Sequence, residues 1–473
     1  MRVLLMTPPY VRNFMRNARW DVIGIAGGQW YPIYLAYCTG LLEINGHEVK
    51  LLDAQVDGLT REETYRIAKE FSPNLIVLYY SYKALKNDLE IGKQLHNLTG
   101  GEIVLVGPSA SINPIDTLKM SSGINMLAKG EFDYTVLELA EAVLKKDQIK
   151  GLIWKESNGT IHINPERKPV QSEELDKFPF VTDVYRRHLH INNYNQADQF
   201  HPFIDLFTGR GCSWGLCTFC LWPNTINKDA GYRTRSISNV IEELRFIKEQ
   251  MPYIKEVFFQ DDTLPAPRAY EISKAILDNK IRIRWSCYAR PTADMNINTL
   301  KLMKKAGCRT MHVGYESANP QILKNICKGT SIKTAEEFTK NACAAGLYIV
   351  GDFLTGLPGE NIDTIKATVE WARKLPVQRY TFSLPKPYPE TPLYKSLQEI
   401  GYLKEGHPNY PGLSAEEIYV WNKWSYRKVY LSPNYFFRMI IKPQEWDRIA
   451  RSAVYAVPYF FNKESGESKK LEW

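Results

Sequence analysis

The chain alternates short apolar runs with longer amphipathic stretches, and it does so in two separate series. In the first 150 residues, positions 3–6, 49–52, 75–80 and 103–106 have the length and composition of strands. Between them, 32–44, 62–70 and 84–98 carry helical periodicity. Strands alternating with helices imply a parallel, doubly wound sheet. Ligands of such sheets sit beyond the carboxyl ends of the strands. The rim expected there is Pro8, Pro9, Asp53, Ser81, Gly107, Pro108, Ser109, Gly130 and Glu131.

A second series begins near Phe203, with strands expected at 203–208, 254–260, 283–289, 310–315, 348–354 and 380–384. Helical stretches at 238–250, 267–278, 298–306, 332–345 and 362–375 separate them. Six strands in this order suit a partial (β/α)6 TIM barrel, whose chemistry lies at the strands' carboxyl ends. The fold class is therefore α/β. The expected division is a Rossmann-like domain over 1–150, a hairpin-bearing linker over 151–195, the barrel over 196–390 and a mainly helical region over 391–473.

Composition narrows the function classes. With 44% hydrophobic and 24% charged residues, 473 residues bury full cores and are not disordered. A net charge of +8 is too mild at this length to imply a nucleic-acid partner. Eight cysteines are too sparse for a disulfide scaffold, yet three fall within nine residues, which points to a metal or redox site in a reducing compartment. No apolar run approaches the roughly 20 residues of a membrane span. The opening apolar stretch is too short for a signal peptide and runs into Pro8 and Pro9. A cytoplasmic multidomain enzyme is the expectation.

The densest chemical signal is Thr208-Gly209-Arg210-Gly211-Cys212-Ser213-Trp214-Gly215-Leu216-Cys217-Thr218-Phe219-Cys220. Three thiols leave a strand through a Gly-rich loop, within reach of one centre. Thiolates are the ligands of iron–sulfur clusters. Structural zinc takes four ligands, and no fourth cysteine is nearer than Cys287, although His201 would complete a tetrahedral set. Spacing favours a [4Fe–4S] cluster with one open iron over zinc.

This loop, placed after the first strand of a partial barrel, resembles the radical S-adenosylmethionine (SAM) superfamily. Its members bind SAM on the open iron and cleave it to a 5′-deoxyadenosyl radical. Most members place three and then two residues between the cysteines. Here the intervals are four and two, so Gly215 must loop out the extra residue. The resemblance implies that Cys212, Cys217 and Cys220 hold the cluster. Asp261 or Asp262 would take the SAM ammonium, Arg290 its carboxylate and Glu316 its ribose. Gly314 and Ser317 complete the fourth-strand motif, while Phe219 and the Gly356-Leu357-Pro358-Gly359-Glu360 loop would flank the adenine. An electron donor such as flavodoxin or ferredoxin is implied as partner.

The first 150 residues resemble the cobalamin-binding domain that precedes the barrel in one radical SAM subgroup. Thr7-Pro8-Pro9, Tyr31-Pro32, Asp53, Gly107-Pro108-Ser109 and Gly130-Glu131 carry that resemblance. Val106 stands where the family usually has a further glycine. No Asp-x-His-x-x-Gly sequence is present, so no histidine below the cobalt is implied. Within the subgroup, Gln29-Trp30-Tyr31-Pro32, Cys217-Thr218-Phe219-Cys220-Leu221-Trp222-Pro223 and Tyr232-Arg233-Thr234-Arg235-Ser236 are most similar to the hopanoid-biosynthesis-associated proteins. That implies a small-molecule or lipid substrate, with methylation of an unactivated carbon or radical rearrangement or cyclisation as the reaction. The alternative from another class is a non-catalytic corrinoid- or lipid-binding protein with a structural cluster.

Residues 421–473 hold ten Lys/Arg against five Asp/Glu, and thirteen aromatics. Amphipathic helices of this composition suit lipid interfaces, so peripheral contact with the inner face of a membrane is one expectation. The other is that these aromatics pack over the open side of the incomplete barrel. His312 is expected to be a satisfied interior residue, and Cys38, Cys308, Cys327 and Cys343 buried small hydrophobes.

Overall fold

The computed structural model describes residues 1–17, 21–23, 27–433, 435 and 446. The chain forms two compact units, Met1–Gln196 with Leu221–Arg235, and Ala197–Cys220 with the residues from Ser236 onward.

In the first unit, β1 (Arg2–Thr7), α1 (Ile33–Ile44), β2 (Glu48–Asp53), α2 (Arg61–Phe71), β3 (Leu75–Tyr79), α3 (Leu85–Thr99), β4 (Glu102–Val106), α4 (Pro114–Met120), β5 (Met126–Ala128) and α5 (Asp133–Glu141) follow one another. The strands lie in the order β2-β1-β3-β4-β5 and are parallel. β3 is apolar throughout and fully buried, as a strand covered on both faces must be. Leu4, Met6, Ile76, Leu78 and Leu105 form one core with Ile91 and Leu95 of α3. α2 starts where its sequence says it should. Thr60 accepts from the Glu63 amide while Glu63 accepts from the Thr60 amide, a reciprocal cap.

Two features depart from the expected division. The hairpin placed in the linker, β6 (Leu152–Lys155) and β7 (Ile161–Ile163), pairs antiparallel onto β5 and extends the sheet to seven strands. Leu152 and Ile153 are buried there, and Trp154 stacks on His162 at 4.3 Å, which gives the hairpin its own reason to dock. Residues 221–235 also belong to this unit. Arg233 makes two hydrogen bonds of 2.9 Å to the Glu131 carboxylate. The first unit therefore runs on past residue 150 to Gln196 and takes in 221–235, while the second begins at Ala197, one residue from where the barrel was expected to start.

In the second unit, β8 (Phe203–Leu206), α6 (Ile237–Gln250), β9 (Glu256–Phe259), α7 (Ala266–Asp278), β10 (Trp285–Ala289), α8 (Ile297–Lys305), β11 (Cys308–Glu316), α9 (Ile332–Ala344), β12 (Tyr348–Leu354), α10 (Ile362–Lys374) and β13 (Arg379–Ser383) alternate. The six strands pair in sequence order and are all parallel, the (β/α)6 arrangement expected.

β13 ends the sheet, and an open edge invites pairing. After α11 (Pro392–Glu399) and a short hairpin, α12 (Ala415–Tyr430) covers that edge. The Tyr430 hydroxyl accepts from the Tyr380 amide at 3.1 Å and donates to the Tyr380 carbonyl at 2.7 Å. Asn422 donates to the Phe382 carbonyl at 2.9 Å. The aromatic, basic region is thus edge cover as far as Tyr430. Beyond Tyr435 the region, including the amphipathic stretch expected from Trp446 to Phe461, lies outside the described residues except for Trp446 itself. Among the described residues, no helix is long and apolar enough to cross a membrane.

Candidate active site at the thiol loop

The loop from β8 to Cys220 is fixed at several points. The amide and hydroxyl of Thr208 both donate to the Asp261 carboxylate at 2.6 Å, and Arg268 donates to the Thr208 carbonyl at 2.9 Å. The Cys220 amide donates to the Cys217 carbonyl, and the Thr218 amide to the Ile326 carbonyl, both at 3.1 Å. Gly215 has φ +68°, a left-handed conformation that a side chain would strain, and it turns out the extra residue between Cys212 and Cys217. That turn lays the Trp214 ring against Gly329 and over the Arg290 guanidinium, 4.5 Å from the ring centroid. The Trp214 indole N–H donates to the Cys327 carbonyl at 2.8 Å.

Beside the thiols sits a cation that sequence reasoning missed. Lys328 Nζ is 2.6 Å from Glu316 Oε1, with the two side chains only 7% and 8% exposed. Burial opposes the charge on Lys328, but Glu316 and then Cys217 outweigh it and hold the ammonium above its usual range. Burial pushes the Cys217 thiol up, with Lys328 and Arg290 opposing it. A Cβ on Gly314 would come within 2.5 Å of Glu316 Oε1 and 2.8 Å of Lys328 Nζ, so the fourth-strand glycine makes room for this pair.

Among the described residues no three His, Cys, Asp or Glu side chains are already gathered about one metal-sized point, and it is the chemistry of the donor set that fits an iron–sulfur cluster. Cys212, Cys217 and Cys220 are reduced and partly buried, and two cations stand by to offset thiolate charge. A zinc site completed by His201 does not fit. His201 precedes β8, whereas the thiol loop follows its carboxyl end, about 13 Å away along a four-residue strand.

The other expected SAM residues separate into two groups. Arg290, Glu316 and Gly314 gather around Lys328 and the thiols, as the contacts above describe. Arg290 is held under Trp214 and donates to the Lys328 carbonyl at 2.9 Å. Asp261 accepts from the Thr208 amide and hydroxyl and is fully buried, and Asp262 beside it is buried as well. Ser317 accepts from the Asn319 amide and lies 3.4 Å from the Thr368 hydroxyl, so it ties β11 to α10. The Gly356 and Leu357 amides donate to Glu360, at 2.5 and 3.0 Å, and the Pro358 carbonyl accepts from Asn325. Phe219 is buried. Cys287 faces Cys308 on the neighbouring strand, and Cys327 is exposed where a buried residue was expected.

In the first unit, the expected rim residues follow the carboxyl ends of β1 to β5. Most are already engaged. Asp53 accepts from the Tyr194 hydroxyl at 3.0 Å and from the Val56 amide at 3.2 Å, and burial pushes its carboxyl up to about 7. Tyr31 stacks on Tyr194 at 3.9 Å. The Ser81 hydroxyl donates to Asp21, and Glu131 receives Arg233. Ser109 accepts from the Tyr82 amide. Two features leave room for a ligand. The Thr7 hydroxyl, buried at the end of β1 beside Pro8 and Pro9, has no partner among the described residues. Gly130 opens to space at the end of β5, whereas at Gly107 the Tyr79 ring lies 2.9 Å from where a Cβ would stand, so the end of β4 is already packed.

A parallel (β/α)6 sheet with a three-thiol loop after its first strand defines a class of cluster-dependent enzymes. Residues 206–372 match the model of the radical SAM superfamily. An uncharacterized methyltransferase of Pyrococcus horikoshii is 31% identical over 402 residues, covering 84% of this chain and 83% of that one. The chain belongs to the radical SAM superfamily. The cytidylyl-2-hydroxyethylphosphonate methyltransferase of Streptomyces wedmorensis is 23% identical over 458 residues, 82% of this chain and 84% of that protein. The structure of the radical SAM methyltransferase TsrM from Kitasatospora setae, with cobalamin and a [4Fe–4S] cluster bound, shares the fold. Its TM-score is 0.66 at 20% identity, covering 84% of this chain and 78% of that one.

Proposed function

We propose that this chain is a cobalamin-dependent radical SAM methyltransferase acting on an unactivated carbon. The observation that carries the reading is the gathering of Cys217, the Lys328–Glu316 pair and Arg290 at the carboxyl ends of the parallel strands. Cys212, Cys217 and Cys220 would hold the cluster. Arg290 and Lys328 would receive the SAM carboxylate, Asp261 or Asp262 its ammonium and Glu316 its ribose, with Phe219, Gly356 and Pro358 about the adenine. Thr7, Pro8, Pro9, Ser81, Gly107, Pro108, Ser109 and Gly130 would hold the corrinoid. When bound, these groups supply the electron that cleaves SAM to a 5′-deoxyadenosyl radical and a carrier for the methyl group. The protein orients SAM and excludes water.

The likeness of several motifs to the hopanoid-associated proteins extends the reading to a lipid with a polar group. Peripheral membrane contact and a flavodoxin or ferredoxin donor belong to the same reading. Anaerobic reconstitution tests it. Iron-loaded protein should show a corrinoid spectrum and form both 5′-deoxyadenosine and S-adenosylhomocysteine with substrate. 5′-Deoxyadenosine alone would point to rearrangement, and an iron-loaded protein that takes up no corrinoid would refute cobalamin dependence.

A further inference from the structure

Between β11 and α9, four successive carbonyls are taken up by the thiol loop and its neighbouring cation. Ile326 accepts from the Thr218 amide at 3.1 Å, and Cys327 from the Trp214 indole at 2.8 Å. Lys328 and Gly329 accept from Arg290 Nη2 at 2.9 and 3.3 Å. Left-handed backbone at Cys327 (φ +52°) and Gly329 (φ +67°) turns the chain here. The Lys328 side chain meanwhile reaches Glu316 at 2.6 Å. Four residues thus tie the thiol loop to Arg290 and Glu316.

Trp214 is the side chain of the thiol loop that meets both this segment and Arg290. A Cβ on Gly329 would overlap Cζ2 and Cη2 of the indole, so the ring's seat depends on that glycine. The Arg290 guanidinium lies 4.5 Å from the ring centroid. An aromatic face attracts a guanidinium and holds it by stacking. Arg290 is therefore fixed by a ring and two carbonyls. Among the described residues no carboxylate comes within ion-pair distance of it, and Asp294 acts on its charge from further off. Its Nε is buried and has no partner among the described residues. A guanidinium oriented by neutral groups keeps its charge and its fork for a carboxylate brought by a ligand.

We propose that Trp214 is a positioning residue for SAM, stacking on Arg290 so that the guanidinium stands ready for the SAM carboxylate. The extra residue between Cys212 and Cys217 gives the loop the turn that puts the ring there. This rests on the SAM site of the proposed function. The test is equilibrium dialysis of labelled SAM against the anaerobically reconstituted, oxidised full-length protein, with no reductant. Trp214→Leu removes the ring face and should raise the Kd for SAM about tenfold, the scale of a desolvated cation–π contact. Trp214→Phe keeps a face and should stay within about threefold of wild type. In an Arg290→Met background, Trp214→Leu should cost less than about twofold, because the ring then has no guanidinium to hold. An equal loss in both backgrounds overturns the proposal, as does wild-type affinity in Trp214→Leu. Should Arg290→Met bind too little SAM for the comparison, 5′-methylthioadenosine supplies it. That molecule has the adenosine and no carboxylate, so wild type and Trp214→Leu should bind it alike, and an equal loss again overturns the proposal. If Trp214→Leu takes up no iron, Trp214→Met replaces it; if neither loads, the ring serves the cluster loop and the proposal falls. Wild-type protein that binds no SAM would refute the proposed function and this inference with it, whereas wild-type binding with an unchanged Trp214→Leu refutes this inference alone.

Discussion

Replacing Lys328 with Met isolates the interaction that organises the site. The Lys328–Glu316 pair is 2.6 Å long, and its side chains are 7% and 8% exposed, so water cannot take over when one partner goes. Removing one member of such a pair leaves a buried charge alone and costs about 3–5 kcal/mol. For a unit of this size that corresponds to a fall in Tm of roughly 6–20 °C. Lys328→Met should therefore unfold well below wild type in anaerobic thermal melts followed by circular dichroism. Adding Glu316→Gln removes the stranded carboxylate, so the double variant should regain most of the loss. The same melts carry the refutation. A single-variant loss below about 1 kcal/mol, the range of an exposed pair, would mean that the pair is not buried in solution. A double variant as unstable as the single would mean that Lys328 acts through packing, not charge.

Two further predictions concern the first unit. Burial holds Asp53 up at about 7, so the folded state binds a proton that the unfolded chain releases near its ordinary value. Stability from this group is present at low pH and is lost as pH rises towards 7. Asp53→Asn should flatten that decline, gaining on wild type between pH 5 and pH 8 in urea titrations; an unchanged slope would refute the shift. Arg233→Ala strands Glu131, whose side chain is 2% exposed, and should destabilise by about 3–5 kcal/mol in chemical denaturation. Arg233→Ala combined with Glu131→Gln should recover most of it.

What the sequence made legible was local. Strand and helix periods located both parallel sheets, because each run carries its own signal over a few residues. The thiol loop was legible for the same reason, and the φ of Gly215 agrees with the turn its spacing demanded. Pairings between distant residues were not. Lys328 lies 12 residues beyond Glu316, in a loop with no period to mark it. Arg233 meets Glu131 across 102 residues, and His312 meets Asp198 across 114. Asp261 and Asp262 show where such reading stops. Both carboxylates end the same strand, but the pairing of β8 with β9 points Asp261 at Thr208. His312 was legible as a satisfied interior residue, yet its partners depend on strand register.

The measurement closest to the central claim is formation of 5′-deoxyadenosine from SAM by the reduced, reconstituted protein. Wild type should carry about four iron per chain and form it, and Cys217→Ala should form none. Wild-type protein that carries about one zinc and forms no 5′-deoxyadenosine would contradict the account.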